Sequence, residues 1–124
     1  MDSDGPRVRI TDADFLDAIG SNQVSLRVGI ADSWLSRFLG LMGRSKMPGI
    51  DCLRFDSCST IHTCFMRMRI DVVYLDEHGV ALKLCRGLRP WRMSFCFGAN
   101  VVLEFGSGSL EKLGIAEGWI FKCY

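Results

Sequence analysis

Between Cys58 and Asp71 the chain reads CSTIHTCFMRMRID, with one histidine, two cysteines, two methionines and two arginines. Each type carries its own chemistry. An imidazole exchanges protons near neutral pH. Thiolates and thioethers together suit Cu(I). A guanidinium grips a carboxylate or phosphate through two parallel hydrogen bonds. Read as an extended run, residues 58–70 separate by parity. Cys58, Thr60, His62, Cys64, Met66 and Met68 take one face, and Ser59, Ile61, Thr63, Phe65, Arg67 and Arg69 the other. The first face is small and soft apart from His62, and is expected to turn inward.

Three uses of that face compete. In the first, His62 is a core histidine that donates to a backbone carbonyl or to Asp71. In the second, His62, Thr63, Arg67 and Asp71 supply the polar contacts of a small-molecule pocket, with Met66, Phe65 and Trp91 as apolar wall. In the third, Cys58, His62, Cys64 and Met66 hold a soft metal. Geometry opposes the third, because alternate strand residues stand ~6.6 Å apart and four in a row do not converge on one ion. No metal and no cofactor is expected. As catalytic groups, His62 is a better general acid–base than Cys64 is a nucleophile, since nothing beyond adjacency supports the thiol.

A second stretch, LRPWR at 88–92, sets two arginines around a tryptophan. Arg and Trp are common binding anchors, so Arg89 and Trp91 join the candidate ligand contacts. The alternative is a loop staple, with Pro90 fixing the chain and Trp91 packed on the edge of the sheet. The serines lie in no G-x-S-x-G elbow. The run GSGS at 106–109 lacks the lysine of a phosphate loop.

The elements that must position these residues are short. The segment RVRI at 7–10 reads as an edge strand, and TDADFLDAIG as one helical turn ended by Gly20. Val24, Leu26, Val28 and Ile30 alternate, which predicts a strand. Trp34, Leu35, Phe38, Leu41 and Met42 recur at helical spacing and predict an amphipathic helix over about 33–43. Strands follow at 52–56, 72–75, 80–85, 95–98 and 100–105, and at the C-terminal end. DEHG closes a hairpin. Ser107 or Ser109 is expected to cap a helical turn near 107–114, with Gly114 as its stop. Short strands at regular spacing, with no βαβ alternation, predict an α+β, mostly β fold. The expected form is a small antiparallel or mixed sheet, barrel-like, with one short helix.

Composition excludes several function classes. A chain of 124 residues is read as one domain, 1–124, with residues 1–6 lacking fixed structure. A net charge of +1 supplies no whole-molecule field for nucleic acid or an anionic membrane. No apolar run reaches the roughly 20 residues of a membrane span, and no leader is evident. The six cysteines form no C-x-x-C pair; most read as small buried hydrophobes of a reducing, cytoplasmic protein, with Cys123 expected to be exposed and oxidisable.

RFLGLMGR (37–44), STIHTCFMRMRIDVVYLDEHGVAL (59–82), LRPWR (88–92), VLEFGSG (102–108) and LGIAEG (113–118) follow one another in the order of a known signature. Together they resemble the DUF192 (UPF0127) family of small β-rich bacterial and archaeal domains, whose activity is not established. The resemblance implies a fold and a site region around residues 62–71. Two positions depart from the family pattern: Arg69 stands where a proline is usual, and Trp119 where many members carry an acid. The leading functional expectation is a cytoplasmic small-ligand binding or accessory module with a polar cleft at His62–Asp71. Alternatives are a metal-independent enzyme using His62, and a protein-interaction subunit. No nucleic acid is expected as partner, and any protein partner is unspecified.

Overall fold

The structure, a computed structural model, describes residues 8–31, 49–64 and 68–123. The helix expected over 33–43 and the N-terminal residues 1–6 lie outside the described residues. Nine strands and one helix follow in order: β1(Val8–Leu16), β2(Gln23–Ala31), β3(Cys52–Asp56), β4(Thr60–His62), β5(Ile70–Leu75), β6(Ala81–Leu88), β7(Met93–Phe95), β8(Val101–Gly106), α1(Ser109–Leu113) and β9(Ile120–Cys123). The fold is mostly β, as the strand spacing predicts. Seven strands form one mixed sheet in the order β6-β5-β8-β3-β2-β1-β9, and β4 and β7 form a separate ribbon. Among the described strands only β2 and β3 pair in parallel, with Val28 opposite Cys52.

The large sheet curls until its two edges meet at one end. Val80 bridges Ile120. The Phe121 N–H donates to the Gly79 carbonyl at 2.8 Å, Ala81 N–H to Trp119 at 2.8 Å, and Gly118 N–H to Ala81 at 2.9 Å. These bonds occupy backbone groups that an open edge would leave unpaired.

Residue parity divides the core in two. Ala13, Phe15, Leu26, Val28, Cys52, Val73, Leu75, Leu103 and Phe105 pack inside the curl with Leu110, Ile115 and Phe121. Leu53, Phe55, Ile70, Val72, Tyr74 and Val102 face the other way and are covered by Ile61, Cys58 and Cys96 of the ribbon region. Strand β5 is therefore buried on both faces along its whole length. That explains its continuous apolar run, VVYL, better than any alternation would.

Two local expectations are overturned. Residues 11–16 are strand, not a helical turn, because Ala13 and Phe15 alternate into the core beside Leu26 and Val24. The Asp17 carboxyl then closes the turn, accepting from the backbone N–H groups of Ser21 and Asn22 at 2.8 and 3.1 Å. Residues 58–70 are not one extended run either. The chain reverses at Ser57, whose φ is +52°, and is strand only over Thr60–His62. Ile61 and Thr63 are buried while Thr60 and His62 are exposed, so the side that carries His62 turns outward.

Gly79 has φ +84°, and a Cβ there would lie 2.5 Å from the Phe121 carbonyl oxygen. Gly87 has φ +65° with nothing within 4 Å of the same point. Gly79→Ala should therefore cost about 3 kcal/mol or more, and Gly87→Ala only about 1 kcal/mol. Urea unfolding of the two variants measures this, and equal losses would show that the sheet edges do not meet at Gly79.

Candidate functional site

Asp71 is buried on β5. It shares a face with Val73 and Leu75, opposite Phe105, so its side chain enters the core inside the curl. One carboxyl oxygen accepts the Gly87 N–H at 2.9 Å and the other the Leu110 N–H at 3.0 Å. The first bond holds the irregularity in the β5–β6 ladder, where register shifts between Ile70 and Val72. The second caps α1. Gly108 occupies the N-cap position and supplies no side-chain bond. The cap expected from Ser107 or Ser109 thus comes from a residue 39 positions away. At the other end Gly114, at φ +76°, stops the helix as expected.

Thr63 is also buried and also serves backbone. Its hydroxyl donates to the Arg89 carbonyl at 2.6 Å and accepts the Arg92 N–H at 2.9 Å. Its own N–H donates to the Arg92 carbonyl at 2.9 Å, and its carbonyl accepts from Trp91 at 3.1 Å. Four bonds from one residue thereby fix loop 89–92, and in it Trp91 takes φ +62°. A large side chain rarely holds that conformation unless its surroundings impose it.

His62 lies across the sheet from Asp71. It projects from the outer side of the ribbon, opposite Met93, and no hydrogen bond among the described residues meets its ring. The expected His62–Asp71 contact is not formed, because β5 carries the carboxyl to one face while the ribbon packs on the other. Met66 and Arg67 lie outside the described residues. The candidates that the structure does bring together are His62, Arg89 and Trp91, the last two exposed beside the ribbon.

The outer side of that ribbon is apolar. Trp91, Met93, Phe95 and Phe97 are 59%, 72%, 64% and 97% exposed, while Ser94 and Cys96 between them are half-buried. Four alternate positions of one chain segment thus offer large apolar side chains to solvent. Single exposed hydrophobes are ordinary, whereas extended apolar patches are often associated with interaction sites. The alternation MSFCF was readable in the sequence, yet its inner and outer sides were not.

Glu104 was missed as a candidate. It is buried on β8 between Leu53 and Val72, on the face covered by the ribbon. No hydrogen bond among the described residues reaches it, and burial pushes its carboxyl up to about 8. An acid inside the apolar run VVLEF was the available signal. On the same face, burial raises the Tyr74 hydroxyl to about 12. Ser94 lies near that hydroxyl but not in bonding position. Among the described residues no three His, Cys, Asp or Glu side chains converge to hold a metal ion. No helix among them is long and apolar enough to cross a membrane.

Residues 17–122 match DUF192, a family described only as "Uncharacterized ACR". The chain belongs to the DUF192 (UPF0127) family. Among its DUF192 relatives, a UPF0127 protein of Pyrococcus furiosus is 30% identical over 107 residues, covering 83% of this chain and 91% of the relative. One of Pyrococcus abyssi is 39% identical over 72 residues, or 54% of this chain and 59% of that one. Two crystal structures share the fold. A Sinorhizobium meliloti protein, solved as a candidate transcription regulator, has TM-score 0.83 at 18% identity and covers 98% of each chain. A Novosphingobium aromaticivorans protein of unknown function has TM-score 0.77 at 17% identity, covering 97% of this chain and 94% of that one.

Two outcomes follow from the buried acids. Asp71→Ala strands two backbone donors and should cost about 3 kcal/mol in urea unfolding, with Asp71→Asn recovering less than half, because its amide N–H₂ cannot accept. For Glu104 the folded group binds its proton more tightly than the unfolded one. Its contribution is therefore full below the ordinary value of 4.5 and is lost as pH rises towards about 8. Glu104→Gln should melt within a degree or two of wild type at pH 4 and higher by about 5 °C or more at pH 9. A pH-independent difference would place a cation against the carboxyl.

Proposed function

We propose that the protein is a non-catalytic accessory module that docks a protein partner on the outer side of the β4–β7 ribbon. The observation that carries this reading is the exposed row Trp91, Met93, Phe95 and Phe97. Aromatic residues and methionine are the types that binding surfaces favour, and a row of them is costly to leave in water. Thr63 holds the Trp91 end of the row by backbone bonds, so the surface is formed before a partner arrives. Such preorganisation reduces the ordering cost of association.

The pocket reading has less to stand on. Its polar groups were to include Thr63 and Asp71, whose oxygens already serve Arg89, Arg92, Gly87 and Leu110. As a general acid–base, His62 lacks an orienting group among the described residues. The six free thiols fit a reducing compartment, and this reading places the module in the cytoplasm.

The test pans a displayed library of random twelve-residue peptides against the full chain and against Phe95→Ser/Phe97→Ser. The expected result is a set of peptides that bind wild type with low-micromolar affinity, about 8 kcal/mol, and lose the double variant by tenfold or more. The variant should retain the wild-type melting temperature, and the wild type should sediment as a monomer. Peptides that bind both proteins equally, or a wild-type dimer dispersed by the two serines, would contradict the reading.

A further inference from the structure

The ribbon's apolar row is not electrically uniform. We infer that its Trp91 end binds acidic side chains of the partner, so that the docked segment is an extended stretch of protein with apolar residues followed by Asp or Glu. This rests on the docking reading above and specifies the partner's chemistry.

Ile70 pairs with Leu88, so Arg69 just before it and Arg89 just after it lie at the same end of the β5–β6 ladder. Both are exposed, and no acid among the described residues pairs with either. Like charges gathered at one end of a surface favour an anionic partner there. Arg92 adds a third exposed cation, with Nη1 donating to the Trp91 carbonyl at 3.3 Å. Sequence sharpens the point, since neither 57–70 nor 78–103 contains an Asp or Glu. Further along the row Lys83 lies 5.9 Å from the Phe95 ring and donates to the Phe95 carbonyl at 2.8 Å. Only beyond Phe97 do acids approach, where Asp76 and Glu77 line a hollow with Gly98 and Asn100.

Arginines therefore gather at one end of the row and acids at the other. Met93 and Phe95 stand two residues apart on β7, ~6.6 Å, which is the side-chain repeat of an extended segment. Arginine is suited to the role because its planar fork binds a carboxylate through two bonds. An acidic protein segment is favoured over single-stranded nucleic acid because the arginines cluster at one end and Lys83, farther along, is tied to the Phe95 carbonyl, whereas a nucleic-acid track needs available cations along its length.

The experiment measures fluorescence anisotropy of two synthetic twelve-residue probes against the full chain. Both alternate leucine with serine over eight residues. One then ends in four glutamates and the other in four lysines. The glutamate probe should bind about tenfold tighter or better, and Arg69→Ser/Arg89→Ser should erase that advantage without lowering the melting temperature. Equal binding of the two probes, lost in Phe95→Ser/Phe97→Ser, would overturn the acidic preference and leave docking intact. Probes indifferent to those phenylalanines would overturn both. A twenty-nucleotide oligothymidine that binds tighter than the glutamate probe, and loses binding with either double variant, would overturn the inference in favour of nucleic acid.

Discussion

One buried carboxyl group holds three parts of this molecule in place. Asp71 accepts the Gly87 N–H with one oxygen and the Leu110 N–H with the other. The first bond ties the irregular β5–β6 ladder, and the second starts α1. Strand β5, which carries Asp71, is central to the fold because side chains cover both its faces. A buried acid is tolerated only when its oxygens are satisfied. Here the satisfying groups are backbone donors that have no other partner available. A helix of five residues supplies little stability of its own, so its position is set by this contact and by Leu110 in the core.

Strand parity then decides what the motif around residues 58–71 can do. Asp71 enters the core inside the curl, while Thr63 and Ile61 face the opposite layer and His62 faces water. The motif therefore does two jobs on two sides of one sheet. Asp71 and Thr63 are framework residues, whose bonds shape the β5–β6 ladder and loop 89–92. The exposed face between His62 and Phe97 is what the framework presents. This division accounts for polar residues that are invested in backbone and for apolar residues that remain in solvent, a reversal of the usual arrangement.

Much of the architecture was legible in the sequence, and the failures have physical causes. The alternation in QVSLRVGIA and the β-branched run before DEHG gave β2 and the β5–β6 hairpin, because each element's burial pattern is local. The helical turn at 109–113 was legible from its flanking glycines, but its cap was not. A cap supplied from β5 is a tertiary contact that no local pattern records. The segment 11–16 misled because Asp12 and Asp14 resemble a helix start, while Ala13 and Phe15 decide the matter by facing Leu26 and Phe121. The facing of 58–63 misled because the side with Thr60 and His62 was read as inward on composition, while Ile61 packs with Leu53 and Phe55 and the Thr63 hydroxyl bonds loop 89–92. Glu104 was quoted within a family motif, yet its isolation becomes visible only when Leu53 and Val72 are placed on either side of it.

The clasp at Asp71 is tested most directly by amide hydrogen exchange of the native protein under neutral conditions. Gly87 lies on the edge strand and Leu110 at a helix start, positions that ordinarily exchange through local fraying. The account predicts that both amides exchange only through global unfolding, as slowly as the amides of Val73 and Leu103. Exchange of either within seconds, with the β5 and β8 amides protected, would show that the carboxyl group does not hold the ladder and the helix together.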